Sequence, residues 1–453
     1  MNPISRASQA ALGADAPRVS VLMPSLNQAA FIAVAIESVL LHQGPTPLEL
    51  IVADGGSRDG TLDILTALTE RFGADRLRWV SGPDGGPADA VNRALALARG
   101  PVIGWLNSDD QYTPGAVAHA LGLLLTHPEW EMVYGEGEHI DPAGQRLGRY
   151  PTLPPSAGLD AFQSGCYICQ PTVFLRREVF IALGGLDTAL GTAFDFDLWL
   201  RLFTHFPGRV GHTHRVQARS RLHPQGITAR LRRQAVAEGV RVLARHLGRA
   251  DPHWLRTWRD ELLADLLARR AGSRTDPRAD LLALVDELSG CFAADAELAL
   301  RAEFDTDPRL RWAEVGLASN AWIDGWAPQR LELTALSLPA AGGNLVLKGE
   351  PGWPTALPLR LQVSASWGLQ FAQSVKPTGP FTLRLAFPPV AAGRPARAVV
   401  SCNRFFSPAA QVPGSTDDRH LAWRLRSLAV ETPDSAPTEP IPASQDAALP
   451  VMR

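Results

Sequence analysis

The chain reads as an α/β protein: a mostly parallel sheet flanked by helices, then a helical segment, then an antiparallel β-sandwich. Three observations predict this. Apolar runs of strand length alternate with helical apolar spacing over residues 19–107. The first four of these runs each end in acids or amides: Ser25 and Asn27, then Asp54 and Asp59, then Asp84 and Asp89, then Asp109 and Asp110. After Asp305 the pattern changes to short alternating runs broken by Pro and Gly.

In order, Val19–Pro24 is a buried strand stopped by proline, and Ala29–Gln43 carries helical spacing that ends at Gly44-Pro45. Leu48–Ala53 is the second strand. The turn Asp54–Gly60 leads to a helix over Leu62–Phe72. A strand at Leu77–Val80, a glycine-rich turn at Gly82–Pro87 and a helix over Ala88–Ala98 follow. The fourth strand, 101–107, delivers Asp109 and Asp110 to its C-terminal lip, ahead of a Thr113-Pro114 helix start. In open α/β sheets ligands bind at that lip. Adjacent carboxylates repel unless a positive charge sits beside them, which a hard divalent cation supplies; capping of the next helix is the other reading.

Beyond a helix at Ala116–Thr126 come a strand, Glu131–Tyr134, with Glu136, Glu138 and His139 past its end, a loop at Pro151–Pro155 and a strand at Thr172–Leu175. After the turn Gly184–Asp187, Phe194–Phe203 is helical. Asp195 and Asp197 lie two apart and cannot share one helical face. Arg201, four residues after Asp197, is its natural partner, which leaves Asp195 free for chemistry.

From 229 to 304 the chain is rich in Ala, Leu and Arg, with amphipathic runs at Glu238–Leu247 and Trp254–Ala268. These runs are read as a solvated face packed on the sheet, or as a peripheral surface for anionic lipid or a lipid-linked acceptor. Strand-like runs then fall at Arg330–Leu338, Asn344–Lys348, Leu359–Ser364, Phe381–Phe387, Arg397–Cys402 and Leu421–Val430. Trp322, Trp326, Trp353, Trp367 and Trp423 lie among them, as core or as stacking platforms for sugar rings. The expected domains are a disordered N-terminus (1–17), a catalytic domain (18–228), a helical linker (229–304), a sandwich (305–431) and a disordered tail (432–453).

The 44 basic and 46 acidic residues nearly cancel, so there is no global field for nucleic acid or membrane. Four scattered cysteines make no disulfide framework and point to a reducing, cytoplasmic compartment. The first residues lack a signal-peptide pattern, and no apolar run reaches membrane-spanning length. Neither G-x-G-x-x-G after the first strand nor G-K-[ST] occurs, which argues against dinucleotide and P-loop nucleotide chemistry.

Five motifs in order resemble the inverting GT-A glycosyltransferases of family 2: Pro24-Ser-Leu-Asn27, Val52-Ala-Asp54-Gly-Gly-Ser-Arg-Asp59-Gly-Thr61, Gly82-Pro-Asp84-Gly-Gly-Pro-Ala-Asp89-Ala-Val-Asn92, Trp105-Leu-Asn-Ser-Asp109-Asp110 and Asp195-Phe-Asp197-Leu-Trp-Leu-Arg201. The resemblance covers about Val19 to Thr228. It implies a nucleoside-diphosphate-sugar donor held by Pro24, Ser25, Asn27, Asp54, Asp84, Asp89, Asn92 and Asp109, and Mn²⁺ or Mg²⁺ held by Asp110 and His223. It implies Asp195 as the general base on a glycan or lipid-linked acceptor hydroxyl. Phe194 departs from the acidic residue that relatives often carry before the base, and no Q-x-x-R-W follows it, so transfer of single sugars is expected. A non-catalytic glycan or nucleotide-sugar binding protein is the rival from another class.

Overall fold

The computed structural model describes residues 18–268, 276–335, 338–352, 358–389, 396–411, 415–432 and 441–442. The disorder expected of residues 1–17 and of the tail, and the placing of Trp353, lie outside the described residues, apart from 432 and 441–442. The chain divides into two compact units, Met1–Trp254 and Leu255–Arg453.

The first unit opens with the expected alternation. Its elements are β1 (Val19–Ser25), α1 (Ile32–Leu40), β2 (Leu48–Asp54), α2 (Thr61–Phe72), β3 (Leu77–Ser81), α3 (Pro87–Leu97), β4 (Val102–Trp105), β5 (Gln111–Tyr112) and α4 (Ala116–Thr126). Next come β6 (Met132–Ile140), β7 (Arg146–Arg149), β8 (Phe174–Arg176), α5 (Arg177–Ala182), α6 (Phe194–His205), β9 (Val210–Arg221), α7 (Ile227–Arg230) and α8 (Arg232–Leu247). The sheet runs β3-β2-β1-β4-β8-β6-β9-β5, with β7 on β6. β1 to β4 pair parallel, β8 is reversed, and β6 and β9 run parallel to each other in the direction of β4. The C-terminal ends of β1, β2, β4, β6 and β9 therefore share one lip.

β1 and β2 are buried at every position because the sheet is covered on both faces. Val19, Val21 and Met23 share a core with Ile36 and Val39 of α1, Leu65 of α2 and Val117 of α4, while α3 packs on β1 and β2.

Several boundaries differ from expectation. Glu136, Glu138 and His139 lie inside β6, which is longer than its apolar start suggested. Thr172 ends a turn of 3₁₀ helix ahead of β8. The helix after Asp110 begins only at Ala116, behind Gly115 in the left-handed region (φ 75°) and the short strand β5, so the acid pair caps no helix. β9 is new: VGHTHRVQARSR has too few apolar residues to announce a strand, and its neighbours make it one.

In the second unit the helices α9 (His253–Ala268), which begins just before the division, α10 (Pro277–Glu287), α11 (Ala294–Thr306) and α12 (Pro308–Glu314) precede the strands β10 (Leu317–Ser319), β11 (Trp326–Pro328), β12 (Arg330–Ala335), β13 (Gly343–Glu350), β14 (Leu359–Ala365), β15 (Gln370–Val375), β16 (Phe381–Phe387), β17 (Ala396–Cys402) and β18 (Leu421–Glu431). Two antiparallel sheets, β10-β12-β17-β14-β15 and β11-β18-β13-β16, share one core. Leu359, Leu361 and Val363 of β14 point inward while Arg360, Gln362 and Ser364 stay exposed, the alternation expected of a sandwich strand. Trp423 and Trp326 are core residues. Trp322 lies under Arg419, which also pairs with Asp324 and Asp417 and so joins the turn before β11 to the segment before β18.

Candidate active site

The lip is built first by β1 and β2, where Ser25 stands in register with Asp54. Asp54 is 2 % exposed and accepts hydrogen bonds from the Ser57 hydroxyl, the Ser81 hydroxyl and the amides of Gly56 and Ser57. Burial alone would raise its pKa; the donors outweigh it and hold the carboxyl below the usual range. Asn27 has φ 53°, the one non-glycine in the left-handed region among the described residues. Its amide donates to Ser57 Oγ and its side chain accepts from Arg58 N, so the β1 turn is fastened to the β2 turn. Pro24 ends the run in register with Ala53, and Ser25 Oγ is buried with no hydrogen-bond partner among the described residues.

The β3 turn brings Asp84 against Gly55, close enough that a Cβ there would lie 3.0 Å from its carboxylate. Asp89 accepts from Gly85 N and pairs with Arg93, which leaves it half-buried at the start of α3. Asn92 is turned the other way: its side chain donates to Leu186 O and accepts from Leu186 N, both at 2.9 Å, tying α3 to the loop before α6.

Asp109 and Asp110 follow β4 and face different partners. Asp110, 3 % exposed, accepts from the Arg221 amide at 2.8 Å and faces Asn107 Nδ2 at 3.3 Å. Burial first, then the Asp109 carboxylate, push its pKa well above the usual range. His223 meets Asp109, with Nε2 2.9 Å from Oδ2, and not Asp110. The Arg221 side chain donates to the carbonyls of Asp109, Asp141 and Pro142 and lies over Phe31, whose ring also touches His223.

α6 supplies the last carboxylates. Asp197 is held by Arg201 at 2.7 Å, as the four-residue spacing predicts, and by His246 at 2.8 Å. Asp195 has no cationic partner among the described residues and accepts from Phe196 N. Burial pushes its pKa up to about 6. The buried Cys169 and the half-buried Cys166 and Tyr150 lie near it and feel its charge. A methyl group on Gly137 would collide with Cys169 Sγ, so only glycine lets β6 pass this wall.

Two further residues belong to the site. Arg221 positions Asp110 through its backbone, for which the sequence carries no signal because it depends on β9. Glu238 of α8 accepts from the amides of Gly191, Thr192 and Ala193 and from the Thr192 hydroxyl. It thereby satisfies donors at the uncapped start of α6, one turn from Asp195. Its partners lie 45 to 47 residues earlier, beyond any local spacing rule.

Residues 20–184 match the family described as Glycosyl transferase family 2. A Mycobacterium tuberculosis PGL/p-HBAD biosynthesis glycosyltransferase is 29 % identical over 191 residues, 42 % of this chain and 71 % of that protein. The Pasteurella multocida chondroitin synthase is 29 % identical over 187 residues, 41 % of this chain but 19 % of that much longer protein. Among solved structures, S. aureus TarS in complex with UDP-GlcNAc superposes with a TM-score of 0.47 at 14 % identity, covering 65 % of this chain and 87 % of that one. Residues 20–184 thus form a glycosyltransferase family 2 domain, and the chain that carries it is a glycosyltransferase.

Proposed function

We propose that the protein is a metal-dependent, inverting transferase that moves one sugar from a nucleoside-diphosphate sugar to an acceptor hydroxyl. The observation that carries this is the division of labour on α6: Asp197 is consumed by cations, while Asp195 has no cationic partner among the described residues and is raised to about 6, the range of a general base that works near neutral pH. In this reading Asp54, Asp84 and Asp89 take the nucleoside side of the donor. Ser25, with its unpartnered buried hydroxyl, and Asn27 lie beside them; Asn92 serves by holding the loop ahead of α6.

The acid pair suits a hard cation, since Asp110 is buried next to a second carboxylate and, among the described residues, no cationic side chain is hydrogen-bonded to it. Asp110 would hold Mn²⁺ or Mg²⁺, and His223 would orient Asp109 beside it. When bound, that ion supplies charge stabilisation to the departing diphosphate. Asp195 accepts the proton as the acceptor oxygen bonds to the anomeric carbon and the carbon–phosphate-oxygen bond breaks on the opposite face.

Relatives named for PGL/p-HBAD biosynthesis and for chondroitin synthesis support an acceptor in surface polysaccharide or glycolipid assembly. Four free thiols support a cytoplasmic setting, with peripheral access to a lipid-linked acceptor. No helix among the described residues is long and apolar enough to cross a membrane.

The test is a panel of nucleotide sugars assayed for transfer and donor hydrolysis with Mn²⁺, with and without EDTA. One donor is expected to turn over and to lose at least about 100-fold in rate with chelator or in Asp110→Asn. Turnover indifferent to both would overturn the metal assignment, and a β-configured product from a β-linked donor would overturn inversion.

A further inference from the structure

Away from the lip, β6 and β9 carry a second set of metal-ligating side chains. Tyr134 lies opposite His212 and Gly135 opposite Thr213, but Glu136 lies opposite Val216, so His214 and Arg215 are extra residues in a bulge. The bulge returns His214 to the Glu136 side. Glu136 Oε1 is 3.3 Å from His212 Nε2 and 3.8 Å from His214 Nδ1. Among the described residues this is the one trio of such ligands whose donor atoms all lie within 4.8 Å of one another.

The separations have the scale of a coordination shell. Zinc bonds of about 2.0 to 2.1 Å in a tetrahedron set neighbouring donor atoms about 3.3 to 3.4 Å apart. The His212 side chain is 8 % exposed, yet its Nε2 makes no hydrogen bond, so the approach to Glu136 leaves a buried nitrogen unsatisfied. His214 is 93 % exposed, so the trio opens to solvent on one side and leaves room for a fourth ligand.

We propose that Glu136, His212 and His214 form a Zn²⁺ site with a water in the fourth position, distinct from the cation position at Asp110. Imidazole nitrogen suits zinc better than it suits Mg²⁺ or Mn²⁺, so the two sites sort by ligand chemistry. The ion pins β9 to β6 at the bulge. Beyond the bulge the same strands pair from Gly137 to Ile140, which ends with Arg221 N–H on Asp110. The site braces the strand that supports the acid pair.

The whole chain, stripped with chelator and without nucleotide, is titrated with Co²⁺ and then Zn²⁺. One equivalent of Co²⁺ is expected to give the intense visible absorption of tetrahedral coordination, and Zn²⁺ to displace it and raise the Tm. His214→Ala, at an exposed ring, is expected to fold normally and weaken Zn²⁺ binding at least about 10-fold. Asp110→Asn is expected to bind Zn²⁺ as the wild type does. Absence of the band in the wild type, unchanged affinity in His214→Ala with its circular dichroism intact, or loss of binding in Asp110→Asn would each overturn the site. None of these readouts depends on sugar transfer.

Discussion

Asp195 and Asp197 stand two positions apart in the first turn of α6, yet their surroundings move their pKa values in opposite directions. Burial raises Asp195 to about 6; at Asp197 burial is outweighed by the His246 and Arg201 contacts, which hold it low. If Asp195 is the base, kcat/KM rises with pH through about 6 and levels above it, and Asp195→Asn loses about 100- to 10,000-fold in kcat with donor affinity retained. The stability sign follows from the same shift. The native state holds a proton between the ordinary value of 3.8 and about 6 that the unfolded chain has lost, so wild-type stability falls as pH rises across that window. Asp195→Asn removes that slope, and is expected to be at least as stable as wild type at pH 8 by urea denaturation. The Asp197–Arg201 pair was legible because it is a matter of helical spacing. The His246 contact was not, since it comes from another helix 49 residues away.

At the scale of elements, the strands and helices up to α4 follow from their apolar periodicity, because a sheet covered on both faces demands continuous apolar runs. β9 and the full length of β6 were hidden for the converse reason: they carry His, Arg and Glu at positions that face polar groups, so their strand state comes from pairing. The α6–α8 junction shows how a helix end can depend on a distant carboxylate. Burial alone would raise the pKa of Glu238; hydrogen bonds from the Thr192 hydroxyl, the Gln234 side chain and the amides of Gly191 and Ala193 outweigh that effect and lower it to about 2. Its stabilisation is complete above the ordinary value of 4.5 and is lost as pH falls towards about 2. Glu238→Gln is expected to flatten the acid side of the stability curve over that range. Glu238→Ala leaves the amides of Gly191, Thr192 and Ala193 without their acceptor and is expected to cost about 1–3 kcal/mol. It should lower kcat about 10-fold, at unchanged donor KM, by releasing the start of α6.

On the scale of the whole molecule, every residue of the candidate site comes from the first unit, and the second has a core of its own. Trp423 is fully buried in that second core. Trp423→Ala is expected to destabilise the sandwich by about 3–5 kcal/mol, seen as a lowered Tm, while nucleotide-sugar affinity measured by calorimetry stays within about twofold of wild type. A parallel loss of donor affinity would show that the units act as one. The sandwich was legible from alternation and from its Pro and Gly breaks. What its tryptophans do was open in the sequence, and burial decides it for two of them: Trp326 and Trp423 serve the core.

The stretch that matches the family description ends at Gly184, whereas Asp195, the strand that holds Asp110, Glu238 and the histidine on Asp109 all come later in the chain. A polypeptide trimmed to residues 20–184 would still match the family and keep the acid pair, and, if Asp195 is the base, would hold nothing to deprotonate an alcohol. On that reading, kinship and competence in a gene fragment part company about ten residues short of α6.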